Sequence, residues 1–371
     1  MTQNARSDAL HLAVQHFAAG DSRHTFAGLA LEIAAFQREF SAGFARLVKR
    51  RGASLTSVEA IPGVPSDAFR LARVAVHPEA EDSVRFATSG TTGSGHGIHA
   101  MRRTDTYRAL ALSYGKSALL SGAGSRRVVA LAPRLDDPPT SSLGYMMAMF
   151  MVDFERREAG AERAPERWLI DERGVNVSEL ERACQLAWDA DEELIVLATS
   201  FALVSLLDAL DGRTLRAPAR TTVMQTGGFK GKSREIAPSE LRASVARSFG
   251  ISEARVVSEY GMTELTSQLY EATLPGSALA TARPAAPGVY VEPPWLRVVP
   301  VDPVSLEAVA LGEVGIARIV DLGNVDSAIA VQTQDSVRRV AGGVELLGRA
   351  AGAPARGCSL AIEEFLAAHS P

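Results

Sequence analysis

The sequence predicts an α/β fold: one large domain with helices on the faces of a sheet, followed by a β-rich subdomain. Three observations predict it. Short apolar or β-branched runs alternate with helical patterns through the middle of the chain, as buried strands and their covering helices do. The first fifty residues carry apolar positions at helical spacing. After about residue 287 prolines cluster and the helical period gives way to strand-like runs.

Taken in order, Leu10, Leu12, Ala13, His16 and Phe17 form one helical stripe, and Phe26, Leu29, Ile33, Phe36, Phe40, Phe44 and Leu47 a second, with Gly20-Asp21-Ser22 between them. His11, His16 and His24 share no i,i+4 face and are assigned to packing or the surface. Ile61-Pro62-Gly63-Val64-Pro65-Ser66 is a turn-rich exit, with Ser66 or Asp67 positioned to cap a short helix. Strands are predicted at Arg127–Leu131, Leu194–Ala198, Thr222–Gln225 and Arg255–Ser258. Helices are predicted at Thr104–Leu120, Val177–Asp189, Phe201–Leu210 and Pro238–Phe249. Leu296–Pro300 and Gly315–Val320 read as strands, Gly342-Gly343 as a turn, and Ser359–Ala368 as a closing helix. The expected organisation is a helical region over 1–75, an α/β core over 76–286 and a β-rich subdomain with a short C-terminal segment over 287–371, all one domain.

Composition narrows the function classes. At 371 residues the chain can bury about three-quarters of its unfolded surface, so neither disulfides nor a structural metal is required. A net charge of −4 supplies no field for a phosphate backbone, which argues against a nucleic-acid binder. Two cysteines exclude a disulfide framework and fit a reducing cytoplasm. No basic-then-apolar leader opens the sequence. The longest apolar run, Leu194 to Leu207, is interrupted by Thr199, Ser200 and Ser205 and falls short of the ~20 residues a bilayer needs, so no membrane span is expected.

Chemistry concentrates in a few segments. Thr88-Ser89-Gly90-Thr91-Thr92-Gly93-Ser94-Gly95 interleaves glycines with hydroxyls, so backbone N–H and O–H donors can converge on a polyphosphate; a flexible, solvated loop is the alternative. It is no Walker A motif, because no Gly-Lys-Ser/Thr closes it, and Thr226 stands where Gly231-Lys232-Ser233 would need its first glycine. In Tyr260-Gly261-Met262-Thr263-Glu264 an aromatic could stack on a base, a hydroxyl could bond phosphate and a carboxylate could hold Mg²⁺; a plain strand end is the other reading. Only four of the 39 basic residues are lysines (Lys49, Lys116, Lys230 and Lys232), and two of them sit in Gly227-Gly228-Phe229-Lys230-Gly231-Lys232-Ser233. Cys358 follows Arg356 and precedes the expected helix, two features that lower a thiol's pKa; a buried structural cysteine is the alternative. Cys184, on a helix without such neighbours, is assigned to the core. His96 and His99 flank the Gly/Thr loop without the further ligands zinc needs and are assigned to packing or the surface, with contact to phosphate or substrate the alternative; Arg102 and Arg103 are as readily solvated charges as phosphate contacts.

Taken together, these segments resemble the acyl-adenylate-forming superfamily of acyl-CoA synthetases, adenylation domains and firefly luciferase. The Gly/Thr loop is similar to its phosphate loop, and residues 260–264 to its adenine and magnesium motif. Gln225-Thr226-Gly227-Gly228 resembles its strand-end Gly-Gly segment, Gln332-Thr333-Gln334-Asp335 its ribose-binding motif, and Leu347-Gly348-Arg349 the Gly-Arg before its hinge. The resemblance implies ATP and Mg²⁺ as cofactors, with Thr88, Ser89, Gly90, Thr91, Thr92 and Gly93 on phosphate. It places Gly227, Gly228, Tyr260 and Gly261 around adenine, Thr263 on phosphate, Glu264 on Mg²⁺, Asp335 on ribose and Arg349 on ribose or phosphate.

As given, the chain runs 22 residues past Arg349, where full-length members carry a lid with a catalytic lysine; that lysine is missing, and so is the one expected after the Gly/Thr loop. A short, lidless pattern, with Ile61–Arg70, Ser141–Met146 and Arg356-Gly357-Cys358-Ser359-Leu360, resembles the acyl-protein synthetase subunit of the bacterial bioluminescence fatty-acid reductase complex. That likeness implies activation of a carboxylic acid, a fatty acid in that family, to acyl-AMP, transfer of the acyl group to Cys358, and a reductase partner. Lys230 is expected to supply the positive charge of the lid lysine. A CoA ligase with Cys358 a bystander and a non-catalytic nucleotide-binding scaffold are the competing expectations, and homo-oligomerisation stays open.

Overall fold

Three helices open the chain: α1 (Gln3–Ala18), α2 (Phe26–Phe40) and α3 (Ala42–Arg51). The computed structural model describes residues 1–88, 95–156, 167–227 and 236–350, together with Ile362, Phe365 and Leu366. The second helical stripe is two helices rather than one. Ser41 adopts an extended conformation (φ −114°, ψ 106°) and its hydroxyl accepts the Phe44 N–H, so a serine N-cap breaks a pattern that hydrophobic period alone carries straight through.

A short strand β1 (Val64–Pro65) and helix α4 (Ala68–Leu71) follow. Asp67 takes the cap position but makes no capping bond; its carboxylate accepts Gln334 Nε2 instead, at 3.0 Å. Next come the two strands of a separate hairpin, β2 (Val84–Ala87) and β3 (Ile98–Met101). Helix α5 (Asp105–Leu119), strand β4 (Arg126–Pro133), helix α6 (Ser142–Asp153) and strands β5 (Trp168–Asp171) and β6 (Gly174–Val175) lead into the α/β core. The core continues through α7 (Val177–Asp189), β7 (Glu193–Thr199), α8 (Ser200–Leu210), β8 (Thr222–Thr226), α9 (Pro238–Phe249) and β9 (Val256–Tyr260). The last part holds β10 (Leu269–Glu271), α10 (Ala278–Ala282), β11 (Val289–Val291), β12 (Leu296–Val301), β13 (Val314–Asp321), β14 (Ala330–Val340) and β15 (Gly343–Arg349). Of the expected closing helix, only Ile362, Phe365 and Leu366 fall among the described residues, and these are helical.

One sheet runs through both halves in the order β12-β13-β14-β15-β11-β10-β9-β8-β7-β4-β5-β6, with β1 pairing β14 at the side. Strands β4, β7, β8 and β9 are parallel neighbours, and the ladder turns antiparallel from β10 onward. Their side chains alternate between two cores, as the two-residue period of a strand requires. Val128, Ala130, Ile195, Leu197, Met224 and Val257 face one core with α5 and α6. Val129, Leu131, Leu194, Val196, Val223 and Val256 face the other with α7, α8 and α9. Burial on both sides explains why these strands read as unbroken apolar runs. Because the four strands are parallel, their C-terminal ends share one edge, the position where open α/β sheets bind ligands. No described helix is long and apolar enough to cross a membrane.

Candidate active site

At the end of β8, Gly227 turns with φ +71°, a left-handed conformation that glycine adopts without strain, and its carbonyl accepts Ser200 Oγ at 2.6 Å. Just before it, the buried Thr226 hydroxyl donates to Glu259 Oε2 on the neighbouring strand. Glu259 is 4% exposed; burial pushes its carboxyl up to about 7, and the Thr226 hydrogen bond pulls the other way.

The next residue, Tyr260, ends β9. Its ring stands edge-on to Tyr290 with centroids 6.3 Å apart, and its Oη donates to Asp335 Oδ2 at 2.7 Å. Burial and the Asp335 charge hold the phenol well above its ordinary pKa, so it stays a donor. Asp335 reaches this point from β14, where it is paired in register with Arg349 of β15. Arg349 Nε lies 3.9 Å from Asp335 Oδ1 on a side chain 74% exposed, a screened pair that leaves its guanidinium accessible to an incoming anion. A Cβ on Gly261 would lie 2.5 Å from Glu259 Oε1, so a larger residue there would have to push the Glu259 carboxyl aside.

The β2–β3 hairpin rests on the following residues. Its neck is closed by Thr88 N–H to the Gly97 carbonyl and Gly97 N–H to Thr88 Oγ1, both 2.8 Å, and His96 Nδ1 bonds the Thr88 carbonyl at 2.7 Å. His99, on β3, meets the Thr263 carbonyl through Nδ1 at 2.7 Å and Ser327 Oγ through Nε2 at 2.9 Å. A carbonyl can only accept, so Nδ1 carries the proton. Burial lowers His99 to about 4, so the ring is neutral near pH 7 and Nε2 accepts the serine hydroxyl. Ser142, opening α6, makes a long 3.4 Å hydrogen bond to Thr263 Oγ1, and Ala87 N–H donates to the Thr140 carbonyl at 2.8 Å. Glu264 is largely buried, with its carbonyl held by Asn324 Nδ2 at 2.9 Å.

The structure therefore links Tyr260 to Asp335 and, through Asp335, to Arg349, and sets Thr263 against His99 and Ser142; Thr88 lies at the neck of the β2–β3 hairpin and Gly227 at the end of β8, the strand beside β9. Ser89, Gly90, Thr91, Thr92, Gly93, Gly228, Lys230, Lys232 and Cys358 lie outside the described residues. Arg102 and Arg103 pair with Asp8 at 2.5 and 2.7 Å, and Arg103 also with Asp105 at 2.6 Å, tying α1 to the start of α5. Cys184 is buried in α7, which pushes its thiol up to about 12 and leaves it inert. Ser142 and Glu259 are the site residues to which pattern reading assigned no individual role; His99 was weighed as a packing residue or a phosphate or substrate contact, and Thr226 stood only as part of the Gly-Gly segment. His99 and Glu259 stood beside or inside the motifs, but only burial distinguishes them. Among the described residues no cluster of three or more His, Cys, Asp or Glu could hold a metal by itself. Glu264 alone suits a Mg²⁺ ion that takes most of its ligands from phosphates and water.

No protein-family model and no curated protein matches the chain. Solved structures do. An open conformation of 2-hydroxyisobutyryl-CoA ligase, in complex with 2-HIB-AMP and CoA, superposes with a TM-score of 0.57 over 86% of this chain and 73% of that one, at 13% identity. The same ligase in its thioesterification state gives 0.55 over 94% and 69%, at 14% identity. In its post-adenylation state with 2-HIB-AMP it gives 0.56 over the same shares, at 13%. At such identity the likeness is one of fold: the chain shares the α/β architecture of that ligase.

Proposed function

We propose that the protein activates a carboxylic acid with ATP: the carboxylate attacks the α-phosphorus, the bond to the bridging oxygen breaks, and acyl-AMP and pyrophosphate form. The carrying observation is that the Tyr260–Asp335 hydrogen bond and the His99–Thr263 contact bring the aromatic, the ribose-type carboxylate and the neck of the Gly/Thr loop to one edge of the sheet. The fold shared with a ligase solved in complex with 2-HIB-AMP supports the same reading.

In this reading Thr88 through Gly93 and Thr263 bond the phosphates, Gly227, Gly228, Tyr260 and Gly261 enclose adenine, and Asp335 with Arg349 holds ribose. Glu264 would hold Mg²⁺ together with phosphate oxygens, and the ion would supply charge screening there. Lys230 supplies a fixed cation where negative charge gathers on the α-phosphate. The Cys358 thiolate then attacks the acyl carbonyl, AMP leaves, and a thioester remains for a reductase partner to consume.

Pyrophosphate exchange over a panel of acids tests the first step, and Lys230→Ala is expected to lower it by orders of magnitude without unfolding the chain. Labelled acid plus ATP tests the second. Label that survives denaturation and disappears in Cys358→Ser supports the acyl-enzyme. Label found in acyl-CoA and not on protein supports the alternative of CoA ligation, which the CoA bound in the neighbouring ligase favours. ATP binding without exchange for any acid would leave a nucleotide-binding scaffold.

A further inference from the structure

Behind the candidate nucleotide residues lies a row of buried polar side chains that adenylate chemistry does not use. Thr226, Glu259 and Tyr270 are register partners on β8, β9 and β10, so their side chains share one face of the sheet, the face covered by α5 and α6. Glu259 is 4% exposed and Tyr270 0%. Among the described residues Tyr270 Oη has no hydrogen-bond partner, and neither does the buried Gln268 Oε1. Gln268 belongs to the same cluster, because its Cγ lies 3.4 Å, and Glu259 Oε1 2.5 Å, from the one point where a Cβ on Gly261 would stand. The Glu259 carboxyl has a described hydrogen bond only from Thr226. Tyr107, whose Oη donates to the Ser142 carbonyl at 3.2 Å, closes the cluster on the helix side, and its phenol feels the Glu259 charge.

Such a cluster is costly in an apolar layer built from Met146, Met147, Phe150 and Phe86. A carboxyl, a tyrosine hydroxyl and an amide side chain therefore lie on neighbouring strands of one buried face, next in sequence to the residues assigned to adenine. Buried oxygens without enough partners welcome a ligand that brings N–H or O–H, and penalise one that brings only C–H.

We infer that the acid this protein activates carries a hydrogen-bond donor, a hydroxyl or an ammonium, on its acyl part, and that Glu259, supported by Thr226, Tyr270 and Gln268, receives it. The inference rests on the carboxylate-activating reading and narrows it from plain fatty acids to donor-bearing acids. Glu259 is then a specificity-determining residue that selects the acid and takes no part in phosphoryl transfer.

The test is pyrophosphate exchange by the full chain with matched acids of three to eight carbons: plain acids, their hydroxy acids and their amino acids. The expected result is a preference in kcat/KM of at least about 100-fold for donor-bearing acids over the plain acid of equal length. Glu259→Leu should invert that order. Glu259→Gln, which keeps volume and an acceptor oxygen but not the charge, should spare hydroxy acids and penalise amino acids. Tyr270→Phe deletes a single oxygen and should shrink the preference several-fold. The order of acids is read from each variant whose circular dichroism matches wild type, and the Gln and Phe variants are near-isosteric. A wild-type preference for plain acids, or a preference for donor-bearing acids that is undiminished in both Glu259→Leu and Tyr270→Phe, overturns the inference while leaving carboxylate activation in place. Absence of exchange with every acid overturns both.

Discussion

His99 and Glu259 sit on either side of the same chain segment, and burial acts on them with opposite signs. In the unfolded chain His99 titrates near 6.5, and in the folded chain near 4. Between those values only the unfolded state binds the proton. The neutral-histidine contribution is thus fully present above pH 6.5 and is lost as pH falls toward 4, at roughly 3 kcal/mol in all. Glu259 moves from 4.5 up to about 7, so between those values only the folded state holds the proton. Its contribution is present below 4.5 and is lost as pH rises to 7. Glu259→Gln should therefore match wild type in urea unfolding at pH 4.5 and exceed it by about 1–3 kcal/mol at pH 8; equal stability at both values would mean that Glu259 is not buried as described. At the same scale, Tyr260→Phe removes the donor to Asp335 Oδ2 and should weaken ATP binding several-fold, and Tyr260→Ala, which also removes the ring, by tenfold or more in calorimetry. Residues 260–264 and Asp335 were singled out from the sequence by their motifs, and the structure joins Tyr260 to Asp335 by a hydrogen bond. Glu259 was not, because its neighbours Thr226, Tyr270 and Gln268 come from other strands, and nothing in Ser258-Glu259-Tyr260 marks the carboxyl as desolvated.

Elements whose ends carry local signals were read to the residue. Helix α7 begins after Asn176, whose side chain accepts Glu179 N–H, and α9 begins on Pro238, with Gly250 in the left-handed conformation closing it. Helix α6 was not read as a helix, since Ser-Leu-Gly-Tyr-Met-Met-Ala-Met-Phe-Met is apolar nearly all round and offers no period. The β2–β3 hairpin was missed because each strand has four residues and its pairing spans the ten-residue loop the motif occupies. Two tertiary ties lay beyond any local reading. Arg242 of α9 donates from one nitrogen to both Glu271 oxygens at 2.6 and 2.5 Å and from another to the Val256 carbonyl, so one buried guanidinium fixes α9 to β9 and β10. Arg242→Met leaves the Glu271 carboxylate buried without its counter-charge and should cost about 3–5 kcal/mol in denaturant unfolding. Near the C-terminus, the buried Phe365 ring lies where a side chain on Gly43 would stand, and its carbonyl accepts Arg46 Nη2 at 2.6 Å. Phe365→Ala should lower stability by about 3 kcal/mol, and Gly43→Leu, which blocks the same seat, should do likewise; a change under about 0.5 kcal/mol in both would show that this contact contributes little.

Across the whole molecule, the parallel strands and the antiparallel β-rich strands form one continuous sheet, and this continuity builds the site. Asp335 and Arg349 belong to β14 and β15 and Tyr260 to β9, so the Tyr260–Asp335 hydrogen bond at the candidate site forms because β10 and β11 carry the ladder from one half to the other. The alternation of strands and helices made the class of fold legible. It could not show that the β-rich strands extend the same sheet, because strand order depends on pairings between residues dozens of positions apart. The most direct measurement is calorimetric titration of the intact chain with ATP and Mg²⁺. The account predicts one site per chain, with binding weakened tenfold or more by Tyr260→Ala and by Asp335→Ala, two residues 75 positions apart in sequence that share one hydrogen bond. Absence of heat, or binding untouched by both substitutions, would contradict it.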